Sequence, residues 1–255
     1  MYESAIKMNQ LDGKNVVVTG AGSGIGQAMV GVAVKSGARV VGMDINRERG
    51  TEVVTGQGGV FQYCDVSSPE SWMDAVTMLQ STLKGIDHLH LNAGIQSAPP
   101  EAPLQEYRFT AMTLDRYRKL LGVNIDGVVY GLHFLLPLMN RGGSIVVTGS
   151  LAGVVPYDID PLYSMTKHAV TGLVRSLKRE CGELGLRINA ICPGGIDTGI
   201  IPHDQRTPDA RFMSPEHVAE TVLSLFTIED SGYTWAKVSE SKAAWKMLPP
   251  GQKKD

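Results

Sequence analysis

Seven short runs rich in β-branched and other apolar residues recur along the chain, separated by stretches of helical period, and this alternation leaves few folds open. The runs cover 15–19, 39–43, 59–64, 88–91, 144–148, 187–192 and 233–238. Several are apolar throughout instead of alternating, the pattern of strands covered on both faces. An α/β architecture follows: a Rossmann-type doubly wound parallel sheet of seven strands with helices on both faces. Helix starts are expected near Gly24, Arg47, Pro69, Thr113, Pro161 and Pro215; proline at the first helical position sacrifices no hydrogen bond. With 255 residues and no internal repeat, the chain reads as one domain, 1–255, with a core over about 11–240 and a C-terminal tail at 241–255.

Composition removes several function classes. Hydrophobic residues make up 43% and charged residues 20% of the chain, enough to bury a full core, which argues against disorder. The formal net charge is -2 and no long basic run occurs beyond the short Lys253-Lys254 pair in the tail, so no nucleic-acid partner is expected. The first ten residues contain Glu3, Lys7 and Asn9 and lack a secretory signal pattern. No apolar stretch reaches the ~18 residues of a membrane helix, so no membrane association is expected. Cys64, Cys181 and Cys192 are far apart, without disulfide pattern or metal-ligand spacing. They read as small buried hydrophobes in a reducing cytoplasm, and no metal is expected.

Two connections break the rhythm. The segments 96–112 and 197–214 are proline-containing long loops that follow strands at their carboxyl ends, where open α/β sheets bind ligands.

Directly after the first run comes Thr19-Gly20-Ala21-Gly22-Ser23-Gly24-Ile25-Gly26. Glycines here allow a sharp turn and let backbone amides approach a pyrophosphate at a helix N-terminus. The spacing Gly-x-x-x-Gly-x-Gly differs from the commoner Gly-x-Gly-x-x-Gly, and alone it also fits a tight turn. Asp44 lies eighteen residues past Gly26 at the end of the second run. A carboxylate there accepts from both hydroxyls of an adenosine ribose and repels a 2′-phosphate. With Ile45 after it, Ser23 in the loop and Arg47 as the nearest cation, the expected cofactor is NAD and not NADP. Such an Asp is otherwise a common turn or cap residue.

The sharpest chemical signal is Tyr163-Ser164-Met165-Thr166-Lys167. Residues four apart share a helix face. A phenol with pKa ~10 is a poor base at neutral pH, but a nearby ammonium favours its ionised form. Tyr163 could then exchange a proton with a carbinol oxygen while a nicotinamide exchanges the hydride. Alone, this spacing also fits an ordinary amphipathic turn. Thirteen residues earlier, Ser150 follows the fifth run in Thr148-Gly149-Ser150-Leu151-Ala152-Gly153 and can hold the reacting oxygen. Asn124 lies in a segment of helical period, where a buried amide needs partners.

Together these residues resemble those of the short-chain dehydrogenase/reductase family, and the resemblance runs from Lys14 to about Val238. It implies a tetrad of Asn124, Ser150, Tyr163 and Lys167, with Lys167 also binding the nicotinamide ribose and Asn124 helping to hold a proton-relay water. It implies further cofactor contacts from Cys64, Asp65 and Val66 near the adenine and from Asn92, Ala93 and Gly94 after the fourth strand. Pro193, Gly194, Ile196 and Thr198 would hold the nicotinamide carboxamide. A homo-oligomer, dimer or tetramer, is implied through helices at 113–139 and 161–183. The chain departs from the family at Leu91, where an Asn is usual, in a longer loop after Gly94, and at Ser239-Glu240-Ser241-Lys242, where Asp-Gly-Gly is frequent.

His88 and His90, like the other four histidines, read as structural residues, and Trp235, Trp245, Met139, Met165 and Met213 as packing. The long loops offer Pro99, Pro100, Tyr107, Phe109, Ile200, Ile201, Pro202, Phe212 and Met213, and the corner after Ser150 adds Val154, Val155 and Tyr157. This apolar lining suggests a hydrophobic small-molecule substrate, a secondary alcohol or its ketone, ring-bearing in the manner of a steroid. The rivals are an NADPH-linked ketone or oxoacyl reductase and a non-catalytic dinucleotide-binding protein. The intact tetrad speaks against the second.

Overall fold

A computed structural model describes residues 10–248; the N-terminal reading over 1–9 and the end of the tail, 249–255, lie outside them. Among the described residues the strands are β1 (Asn15–Thr19), β2 (Arg39–Asp44), β3 (Val60–Tyr63), β4 (Ile86–Leu91), β5 (Met139–Thr148), β6 (Arg187–Pro193), β7 (Tyr233–Lys237) and β8 (Trp245–Met247). They form one sheet in the order β3-β2-β1-β4-β5-β6-β7-β8. β1 to β7 pair in parallel, as the seven apolar runs require.

The eighth strand corrects the expected count, and it lies in what the sequence suggests is tail. β8 runs antiparallel to β7, with Trp235 opposite Lys246 and Ala236 opposite Trp245. Three residues carry no readable period. Their conformation comes from the β7 edge and from Lys246 Nζ, which donates to Asp230 Oδ1 at 2.5 Å.

The helices are α1 (Gly24–Lys35), α2 (Arg47–Gly56), α3 (Pro69–Thr82), α4 (Leu114–Leu121), α5 (Gly127–Leu135), α6 (Pro161–Ser176), α7 (Lys178–Glu183) and α8 (Pro215–Thr227). Asn46, Ser68, Thr113, Asp160 and Ser214 cap α2, α3, α4, α6 and α8, each accepting from the N–H three residues on. Two apolar layers result. Val17 packs with Trp72, Leu132 and Val174 on one face, while Val16 and Val18 pack with Met29, Val222 and Phe226 on the other. Successive strand residues point to opposite faces, so a sheet covered twice needs apolar residues at every position. All three cysteines are buried free thiols.

The helix expected over 113–139 is interrupted. A π turn, Gly122–Asp126, separates α4 from α5, and Met139 already belongs to β5. By length and composition Leu114–Leu138 could cross a membrane, where the sequence reading expects no such stretch. Here its Val128, Leu132 and Leu135 are buried against the sheet. The strand order reverses between β1 and β4, which opens a crevice at their carboxyl ends.

His88 and His90 are buried in β4. The His88 ring stacks on Phe226 at 4.7 Å, and its Nδ1 lies 2.8 Å from Ser144 Oγ. Burial pushes His88 down to about 4 and His90 to about 3. The unfolded chain takes up these protons as pH falls below about 6.5, whereas the folded chain resists them. This contribution is therefore complete above that value, and stability should drop by on the order of a few kcal/mol on acidification toward about pH 4. Melting temperatures recorded across this interval should fall steadily; a flat profile would contradict the assignment.

Candidate active site

The corner after β1 closes only with glycine. Gly20 has φ +65°, and a Cβ on Gly26 would lie 2.0 Å from the Gly20 carbonyl oxygen. Gly22 N–H donates to Asp44 Oδ2 at 2.8 Å, and Asn46 N–H donates to Oδ1 at 2.9 Å. This anchors the carboxylate at the groove edge with further lone pairs to offer. Ser23, which precedes α1, makes no side-chain cap bond, and the first turn of α1 holds no acidic residue. Its leading N–H groups suit an anion. The donor set thus fits a dinucleotide: amides for phosphate and a carboxylate for a ribose diol. Arg47 stacks over the Tyr63 ring at 3.7 Å, and the cation that reaches the loop is instead Arg49, whose Nε donates to Gly22 O at 2.8 Å.

The wall that carries Ser150, Tyr163 and Lys167 comes from β5 and α6. Asp160 is fully buried ahead of α6; its Oδ1 accepts from Tyr163 N–H and its Oδ2 from Ser97 N–H, binding the helix start to the loop after β4. Lys167 lies one turn beyond Tyr163, its Nζ 5.6 Å from the phenol ring centroid and donating to Thr148 O at 2.8 Å. Ser150 leaves β5 with its Oγ accepting from Ala152 N–H at 3.1 Å. Burial lowers the Lys167 ammonium to about 8. The same burial pushes the Tyr163 phenol above its ordinary value, opposed by the Ser150 hydrogen bond. The sequence reading expects the ammonium to make this phenol more acidic. In the protein alone desolvation outweighs any such effect.

Asn124 sits in the π turn, 1% exposed. Its Oδ1 accepts from Ile95 N–H, and its Nδ2 donates to Ile95 O and Thr166 Oγ1, at 2.9 to 3.0 Å. The buried amide is thereby satisfied, and the loop after Gly94 is tied to α6.

One cleft of about 980 Å³ joins these parts. Gly22, Gly26 and Asn124 stand behind its wall; every other residue expected from the sequence to touch cofactor or substrate oxygen lines it. Of the expected substrate-facing residues, Pro99, Pro100, Tyr157, Ile200, Ile201 and Phe212 line it too. Tyr107, Phe109, Pro202, Met213, Val154 and Val155 do not. Tyr107 and Met213 are buried, the former donating to Pro99 O, and Phe109 and Val155 are exposed. Sequence reasoning passed over Thr19, Ile95, Thr148 and Asp160. A threonine ending β1, another ending β5 and an Asp before Pro161 were the available signals.

Residues 14–208 match the family model described as short chain dehydrogenase. The chain belongs to that family. This short-chain dehydrogenase is 35% identical to a 2,5-dichloro-2,5-cyclohexadiene-1,4-diol dehydrogenase of Sphingobium indicum, over 86% of this chain and 92% of the relative. It is 32% identical to a cyclohexanol dehydrogenase of an Acinetobacter species, over 90% of this chain and 94% of the relative. Among solved structures, a short-chain dehydrogenase/reductase from Brucella melitensis superposes with a TM-score of 0.79 at 26% identity, covering 92% of this chain and 98% of that one. The protein is accordingly an oxidoreductase of small molecules that works with a nicotinamide dinucleotide.

Asn124→Ala would leave both backbone groups of Ile95 without their side-chain partner. The variant should lose about 1–3 kcal/mol of stability, the cost of stranded buried polar groups. Urea unfolding measures this, and an unchanged midpoint would show that the loop is held by other contacts.

Proposed function

We propose that this short-chain dehydrogenase oxidises a hydrophobic, ring-bearing secondary alcohol to its ketone with NAD. One observation carries the reading: Ser150, Tyr163 and Lys167 line the same cleft as Asp44, together with apolar residues of the two long loops. The names of the cyclohexanol and cyclohexadiene-diol dehydrogenases support a ring alcohol. When bound, the nicotinamide supplies the hydride acceptor.

The side chains divide the remaining work. Ser150 holds the carbinol oxygen by a hydrogen bond. Tyr163 takes its proton as the carbon–oxygen bond gains double-bond character. Lys167, fixed by Thr148 O, places positive charge beside the phenol and opposes the burial that keeps it protonated. Oxidation needs the ionised phenol and should therefore quicken with rising pH through the neutral range. Ketone reduction needs the protonated phenol, which burial preserves through this range, so its rate should stay nearly flat. Exposed apolar residues on the outer faces, Leu114, Val129 and Met165, suit the pairing of α4, α5 and α6 with a second copy.

Tyr163→Phe should lower kcat by about 10²–10⁴-fold while leaving NADH affinity nearly intact, because the phenol transfers a proton. Stopped-flow rates and NADH fluorescence separate the two effects, and normal turnover in this variant would reject the mechanism. Asp44→Ala removes charge-assisted hydrogen bonds worth about 1.5–3 kcal/mol, so kcat/KM with NAD should fall about 10- to 150-fold. Rates with NADP should not fall. A wild-type preference for NADPH would overturn the cofactor assignment.

A further inference from the structure

The cleft holds a polar pair that the proton-transfer chemistry leaves unused. Leu151, Ile200, Ile201 and Phe212 present hydrocarbon to it. Between them, Gln205 Nε2 donates to Tyr157 Oη at 2.8 Å, and both residues line the cleft. The Tyr157 ring stands edge-on to Tyr163, with centroids 6.4 Å apart. Gln205 is set there by a short 3-10 turn, His203–Gln205, whose first N–H donates to Pro100 O at 2.8 Å across the two long loops.

Counting hydrogen-bonding groups shows what this pair can do. A tyrosine hydroxyl has one proton and a primary amide has two, together with an acceptor oxygen. The single bond between them leaves the phenolic proton and the Gln205 Oε1 acceptor unspent. Turning the amide over would instead leave both amide protons and a phenolic lone pair. Either arrangement offers a donor and an acceptor beside the reacting centre. The other polar walls are less well placed to serve: Gln96 Oε1 and Ser97 Oγ are fully buried, and Arg116 is bound to Glu106 at 2.6 Å. Lys119 also lines the cleft, from α4.

We propose that Tyr157 and Gln205 recognise a second oxygen on the substrate ring, so that the preferred substrates are cyclic diols and not simple ring alcohols. This rests on the reading of the cleft as an alcohol-oxidising site. A site built to hydrogen-bond a substrate hydroxyl discriminates against the analogue that lacks it, because its own polar groups are then left unpaired. Tyr163 and Ser150 engage the carbinol that is oxidised, and Tyr157 with Gln205 holds the oxygen that stays a hydroxyl.

The test compares NAD reduction by cyclohexanol and by the separate cyclohexanediol isomers, using the wild-type protein, Tyr157→Phe and Gln205→Leu. For the wild type, kcat/KM should favour at least one diol over cyclohexanol by about tenfold or more, and each substitution should bring that ratio close to unity. A wild-type enzyme that oxidises cyclohexanol and every diol alike overturns the inference and leaves the dehydrogenase reading standing. If the variants lose rate on all substrates in proportion and keep the ratio, the pair only pins the loop and the inference fails. Oxidation of none of these alcohols would instead sink the ring-alcohol reading beneath it. Gln205→Leu leaves the aromatic edge of Tyr157 in place, so it answers the question should Tyr157→Phe fold poorly.

Discussion

Hydrogen bonds between the carboxyl ends of β1, β4 and β5 hold the whole site together. Thr19 Oγ1 accepts from the N–H groups of Asn92 and Ala93 at 2.9 and 3.1 Å, and Asn92 Nδ2 returns a bond to Thr19 O. Asn92 Oδ1 in turn accepts from Thr148 Oγ1 at 3.0 Å. That hydroxyl has spent its one proton, so the His90 Nε2 that lies 2.8 Å away is the donor. Thr148 also presents the carbonyl that holds Lys167. The β1–β4 ladder ends at Val18 and His90, and the polar groups beyond it need partners. The side chains that satisfy them also set the cofactor groove and the ammonium in one frame.

Burial gives this frame its chemical character. Tyr163 and Lys167 share a wall poor in water, which resists a phenolate and an ammonium alike. Neither charge is comfortable alone, and each becomes easier to sustain when an opposite charge lies near. Placing the two one helical turn apart, with Ser150 bonded toward the phenol, gathers these polar groups on one side of the cleft.

Much of this was legible in the chain. The strand positions followed from apolar runs, and the starts of α1, α2, α3, α6 and α8 from Gly24, Arg47 and the prolines at 69, 161 and 215. Gly20 to Gly26, Asp44 and the Tyr163–Lys167 pair stand out by residue type and interval, and the structure brings them to one cleft or the wall behind it. Other features left no local trace. β8 is three residues long and exists by pairing with β7. The π turn around Asn124 arises where α4 and α5 must both fit the sheet and one amide must reach Ile95. Tyr107 and Met213, apolar enough for a cleft wall, are instead buried beneath it.

What the sequence by itself determined was the order of elements, the two-sided cover of the sheet, the glycine corner after β1 and the family to which the chain belongs. Periodicity, caps and glycine requirements act over a few residues, so they can be read along the chain. Tertiary structure alone decided that Asn124 and Gly26 stand behind the wall, that desolvation raises the Tyr163 phenol, and that Tyr157 meets Gln205. Those outcomes depend on contacts between segments far apart in the chain, and the burial and distances that govern their energies exist only once the sheet has brought them together.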